Sequence, residues 1–131
     1  MKEPMNAMNI KLEFARKMQA RTKVFAVQVV KFYARLPKTE EARVLGRQLL
    51  RAGTSIAANY RAACRAKSDA DFIHKLGTVV EEADESLLWL ELLEETGICL
   101  AAQVATIKKE ADELVRILQT SLTTAKRNAG H

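Results

Sequence analysis

Aromatic residues are scarce in this chain, with one Trp, two Tyr and four Phe among 131 residues. Binding of single strands by stacking successive bases on aromatic rings is therefore not the expected mode of action. Proline (two) and glycine (five) are also rare. With Ala, Leu, Glu, Lys and Arg abundant, so few breakers predict an all-α fold. The two cysteines, Cys64 and Cys99, have no Cys or His partner at metal-ligand spacing, so both read as reduced thiols. No apolar run approaches the roughly 18 residues a membrane-spanning helix needs. The first twenty residues also lack the apolar core of a signal peptide, and the expected compartment is the cytoplasm.

Histidine is as sparse, and this bounds the chemistry. A carboxylate-bridged dimetal bundle needs two Glu-x-x-His pairs pointing inward. The two histidines here are His74 and the C-terminal His131, and the candidate pair Asp71–His74 falls off the expected core stripe. Nothing converges on Glu81, Glu82 and Glu85 for acid–base work, and no nucleophile motif or phosphate-cradling glycine loop occurs. The sequence is that of a non-enzymatic protein without metal or cofactor.

What is present is a single-domain length with 48% apolar and 28% charged residues, enough for a proper core. The net charge of +5 conceals a strong segregation. Residues 1–36 carry eight basic and two acidic side chains, and residues 37–67 carry seven and two. Residues 68–97 reverse the balance, with one basic and nine acidic, and residues 98–131 hold five and three. A basic half beside an acidic helix suits either an anionic partner or self-assembly.

Four amphipathic segments follow in order. The first spans about 10–36, with Phe25, Val29, Phe32, Tyr33 and Leu36 on one face and Gln28, Lys31 and Arg35 on the other. Residues before it are expected to fray. Pro37 closes it. Thr39 then caps a second helix over about 40–65, with Glu40 and Glu41 in its first turn. Gly46 and Gly53 inside that helix imply another backbone close by. Ser68 opens a third helix, about 69–96, with Phe72, Leu76, Val79, Ala83, Leu87 and Leu90 inward and Gly97 as its stop. Glu81 and Glu85, then Leu88, Trp89 and Leu92, fall away from that stripe, so this helix wants a second partner. The fourth, about 101–126, turns Val104, Ile107, Ala111, Leu114, Val115, Leu118 and Leu122 to one side, and the basic tail after it is expected to be disordered. Short connections predict an antiparallel up-down four-helix bundle spanning residues 1–131 as one domain.

The second helix is the most informative stretch. At 100° per residue, Arg43, Arg47, Arg51, Arg61 and Arg65 lie within about 80° of one another. Leu45, Leu49, Ala52, Ile56, Tyr60 and Ala63 occupy the opposite side, and Gln48, Ser55 and Asn59 one border. Five guanidinium groups with no Lys or acid between them suit phosphates, with Lys126 and Arg127 of the tail, and Lys11, Arg16, Lys17, Arg21 and Lys23 of the first helix, as further contacts.

Arg51, Ala52, Ser55, Ile56, Ala58 and Asn59, together with Phe72, Glu82, Ala83, Glu85, Trp89 and Leu90, carry a resemblance. The stretch RAGTSIAANYRAACRAKSDADFIHKLGTVVEEADESLLWLELLEETG resembles the bacterial four-helix bundle proteins of the 23S rRNA-intervening-sequence family, over about residues 21–122. One position departs, since many relatives place an acid where Ala62 stands. The resemblance implies a ring-like homopentamer without catalytic activity. Through related accessory proteins of diversity-generating retroelements it also implies contact with RNA or DNA and with a reverse transcriptase. Two functional readings follow. In one, the arginines of an oligomer meet nucleic-acid phosphates without reading bases. In the other, a self-assembling interaction module sets the arginines of one subunit against Glu81 and Glu85 of the next, with Leu88, Trp89 and Leu92 in the contact.

Overall fold

A computed structural model describes residues 7–130. Four α-helices follow one another: α1 (Ala7–Ala34), α2 (Glu40–Cys64), α3 (Asp69–Glu95) and α4 (Ala101–Asn128). No strand occurs among the described residues. Each helix packs on the next, α1 also meets α4, and the backbones of α1 and α3, like those of α2 and α4, do not come close. The helices thus form a four-cornered bundle in which α1 and α3 occupy diagonal corners.

Local signals set the helix ends. Thr39 Oγ1 accepts the Ala42 N–H at 3.3 Å to start α2. Ser68 Oγ accepts the Asp71 N–H at 3.1 Å to start α3, while Asp71 Oδ2 accepts from the Lys67 N–H and from Lys75 Nζ. Leu100 has no polar side chain, so α4 is capped one-sidedly by Gln103 Oε1, which accepts the Leu100 N–H at 2.7 Å. Gly97 holds a φ of +77° after α3, where a side chain would be strained. Two expected termini differ. Helix α1 already includes Ala7 to Asn9, residues expected to fray, and residues 1–6 lie outside the described ones. Helix α4 continues through Lys126 and Arg127 to Asn128, because these cations complement the C-terminal end of the helix dipole.

The core follows the expected periodicity for α2 and α4. Leu49, Ala52, Ile56, Tyr60 and Ala63 are buried on α2, and Val104, Ile107, Ala111, Leu114, Leu118 and Leu122 on α4. Fully buried leucines such as Leu90, Leu93, Leu114 and Leu118 each contribute roughly 1.5–3 kcal/mol. Helix α3 is rotated slightly from expectation. Ile73, Ser86 and Leu93 are buried, whereas Phe72 and Leu87 stay half-buried. Buried Ser86 is tolerated because its hydroxyl donates to the Glu82 carbonyl at 2.9 Å, and Thr22 likewise donates to the Gln19 carbonyl. Gln28, expected on the outer face of α1, is half-buried with its Oε1 enclosed.

The α2 glycines sit against α1, but against its side chains rather than its backbone. A Cβ at Gly53 would lie 2.7 Å from Val29 Cγ2, and one at Gly46 would lie 3.0 Å from Tyr33 Cδ2 and 2.6 Å from Cδ1 of Leu36, just past the end of α1. The third helical glycine, Gly77 in α3, has nothing within 4 Å of a built Cβ.

The α1–α4 edge is the lightest of the four, and Arg21 fastens it. Its Nε and Nη2 donate to the two carboxylate oxygens of Glu110 at 2.8 and 2.7 Å, and Nη2 also reaches Glu113 at 2.7 Å. A two-pronged guanidinium–carboxylate pair is the strongest common form of this interaction. Arg21 is about one-third exposed, so solvent screening discounts it. Arg21→Ala is expected to cost about 1–2 kcal/mol and to leave two neighbouring carboxylates facing each other. Thermal melts at low and 1 M salt check this, and a gap between variant and parent that does not narrow at high salt would point to lost packing instead.

Candidate nucleic-acid interface

The four arginines of α2 and Arg65 at its C-cap are all exposed, but they are not equivalent. Arg51 turns toward α3, where Nη1 lies 3.4 Å from Glu82 Oε1 and Nη2 lies 3.7 Å from Glu85 Oε1. The expected pairing of Arg51 with Glu85 of a neighbouring subunit is thus made inside the chain. The sequence could not reveal this, because whether two helix faces meet within or between chains depends on how α2 and α3 pack. Arg43 donates weakly to the Lys38 carbonyl at 3.4 Å. Arg47, Arg61 and Arg65 have no carboxylate partner among the described residues.

The first helix contributes less than expected. Arg21 is taken up by α4. Arg16 and Lys17 both lean on Glu13, at 3.1 and 3.9 Å. Lys23 remains uncommitted and stands beside Arg61 on the rim of a shallow α1–α2 groove of about 250 Å3, with Gln19, Thr54, Ala57 and Ala58 as its other walls. Lys126 and Arg127 are exposed in the last turn of α4. That helix stands at the corner diagonal to α2, so they lie on a different helix from the stripe. The free basic surface is Arg43, Arg47 and Arg61 of α2 and Arg65 at its C-cap, with Lys23 across the groove.

The acidic and apolar residues of α3 divide in a similar way. Glu81 and Leu88 are exposed, while Glu85 and Leu92 are half-buried. Trp89, expected on the outer patch, instead packs half-buried against the core with its Nε1 enclosed and unpartnered. It falls on the side of α3 that carries Glu82 and faces α2. A signal for this was available, since Trp89 and Glu82 are seven residues apart and so share a face.

Glu82 has one oxygen enclosed without a partner. Burial pushes its carboxyl above the usual carboxylate range, and Arg51 offsets this only in part. A carboxyl with a raised folded-state pKa binds its proton more tightly when folded. Its ionisation therefore removes stability as pH rises from the unfolded value through the folded one. Glu82→Gln is expected to melt above the parent at pH 7, with the difference closing as pH falls toward 4. Equal melting temperatures at pH 7 would mean that Arg51 offsets the burial in full.

Ser55 and Asn59, on the border of the stripe, are half-buried, and Asn59 donates to the Ser55 carbonyl at 2.9 Å. The thiols of Cys64 and Cys99 are free, and burial raises both. Among the described residues no group of three or more His, Cys, Asp or Glu side chains is placed to hold a metal ion. Among the same residues no helix is long and apolar enough to cross a membrane.

Residues 16–120 match the family described as 23S rRNA-intervening sequence protein. A crystal structure of a protein of unknown function from the S23 ribosomal protein family of Bacteroides thetaiotaomicron is similar to this chain. The two share 36% sequence identity and a TM-score of 0.77, over 83% of this chain and 97% of that one. Among curated proteins none matches it.

Proposed function

We propose that this chain, which belongs to the 23S rRNA-intervening sequence protein family, is a non-enzymatic oligomeric protein that binds nucleic acid through phosphates with little sequence preference. The observation that carries the proposal is the uncommitted arginine row. Arg47 and Arg61 on α2 and Arg65 at its C-cap are exposed with no carboxylate partner among the described residues, and Arg43 is held only by a carbonyl. Guanidinium groups in such a row fit successive phosphates, and with few aromatics in the chain nothing is built to read bases. An antiparallel up-down order of the helices belongs to the same proposal. Gly53 meets Val29 while Gly46 meets Leu36, so rising numbers on α2 face falling numbers on α1. A cytoplasmic location, a pentameric ring and a reverse transcriptase as protein partner belong to the same proposal and rest on the family resemblance.

The test is the salt dependence of binding. Four phosphates neutralised per subunit give a slope of log K against log salt of about −3.6 on duplex, or a loss of about 10²-fold between 50 and 200 mM salt. A flat slope, or no retention of duplex or single strands at low salt, removes the nucleic-acid role. The second reading, a self-assembling interaction module, is favoured by a different observation, the apolar side chains left exposed on α1 and α3.

A further inference from the structure

Two exposed helix faces of this chain are complementary to each other and cannot meet within one copy. On α1, Val24, Val27 and Val30 are 56%, 46% and 48% exposed. They share an arc of about 120° with Lys23 and Lys31, neither of which has a carboxylate partner among the described residues. No acid lies on α1 beyond Glu13. On α3, Leu88 is 45% exposed and shares an arc of about 60° with Gly77, Glu81 and Asp84. Neither Glu81 nor Asp84 has a basic partner among the described residues. One face is apolar with a positive rim, the other a single exposed leucine among acids. Helices α1 and α3 stand at diagonal corners, so the two faces point away from each other.

Gly77 is the independent mark on the α3 face. Glycine inside a helix costs stability, and Gly46 and Gly53 are explained by side chains of α1 that a Cβ would strike. Gly77 meets nothing within 4 Å, so packing inside the chain does not require it. On an outward face between apolar and acidic neighbours, a missing side chain lets a helix from outside come close.

We infer that the outer face of α1 in one copy docks on the outer face of α3 in the next, and that this contact builds the oligomer. The inference rests on the self-assembly part of the proposed function and names its two surfaces. Because the surfaces differ, the contact is head-to-tail. It leaves one unused face on each end of any short chain of copies and is satisfied throughout only when a ring closes. Lys23 is taken into this contact, while the α2 arginine row belongs to neither surface and stays free in the assembly.

The experiment is light scattering on the full chain at micromolar concentration, with two variants at exposed sites, Val27→Glu and Leu88→Glu. Parent protein is expected at several times the 14.6 kDa chain mass, and each variant alone at the monomer mass with unchanged helical circular dichroism. Mixed in equal amounts, the variants should give a species of twice the chain mass and nothing larger. The intact α1 face of one then meets the intact α3 face of the other, while the two altered faces repel. Gly77→Leu serves as a third variant should either glutamate fail to fold. It should weaken assembly without lowering the helical signal. A monomeric parent overturns both this inference and the self-assembly reading. An oligomeric parent with variants that each still assemble overturns the inference alone, dimers of either variant by itself meaning that each face pairs with its own kind. A mixture that stays monomeric also overturns it, since that would mean that the two intact faces do not pair.

Discussion

Gly53→Val is expected to destabilise the protein by about 3 kcal/mol, although replacing a helical glycine normally stabilises a helix. The reason is geometric. A Cβ at position 53 would stand 2.7 Å from Cγ2 and 2.9 Å from Cγ1 of Val29. Val29 is fully buried and β-branched, with one strongly preferred rotamer in a helix, so it has nowhere to turn. The backbones of α1 and α2 must separate instead, and the core layer around Ile56 and Tyr60 opens with them. For a domain of this size, the loss corresponds to a fall in melting temperature of roughly 10 °C. Val29→Ala in the same background removes the two methyl groups that clash and should recover part of the loss. Denaturant unfolding of both single variants and the double, at one protein concentration, gives the coupling directly. Additive effects would show that Gly53 is not there to admit Val29. Gly46→Val offers a milder contrast, since the first atom it meets is the end of the Leu36 side chain, which can swing aside.

The second large effect concerns nucleic acid. Replacing Arg43, Arg47, Arg61 and Arg65 together by Ala is expected to weaken binding on the order of 10²-fold at 50 mM salt, alike for all sequences. The salt slope should flatten by about one for each arginine that was neutralising a phosphate. Arg51→Ala should change the slope less than Arg47→Ala does, because Glu82 and Glu85 already hold the Arg51 guanidinium. Its loss should appear instead as a modest loosening of α2 from α3. Fluorescence anisotropy with a labelled duplex, titrated across salt for each variant, separates these outcomes. If Arg51→Ala and Arg47→Ala moved the slope equally, the division between a free row and a committed Arg51 would fall. If the fourfold variant kept the parent's slope, the phosphates would be meeting another surface, and the basic end at Lys126 and Arg127 would be the next to remove.

The sequence by itself determined the four helices, their caps at Thr39 and Ser68, the inward faces of α2 and α4, and the arginine stripe. These follow from the 3.6-residue period and from side-chain chemistry acting within a turn or two, where neighbours in sequence are neighbours in space. It also carried the family resemblance, because the matching residues are spread along two helices at fixed spacing. Only the tertiary structure decided which charges are spent and which faces stay bare. Arg21, Arg51 and Lys108 look like any other exposed cation in a helical wheel, yet Glu110, Glu82 and Glu94 meet them from other helices. Trp89 and Leu88 are adjacent in the chain, and packing against the core half-buries one while the other stays open. Val24, Val27 and Val30 read as ordinary helix residues until the bundle turns Phe25 and Val29 inward and leaves them outside. A helix has one face per neighbour, and the period fixes its angles but not the number or direction of its neighbours. That choice is made when four helices settle into one bundle, and the pairing of charges between helices is settled with it.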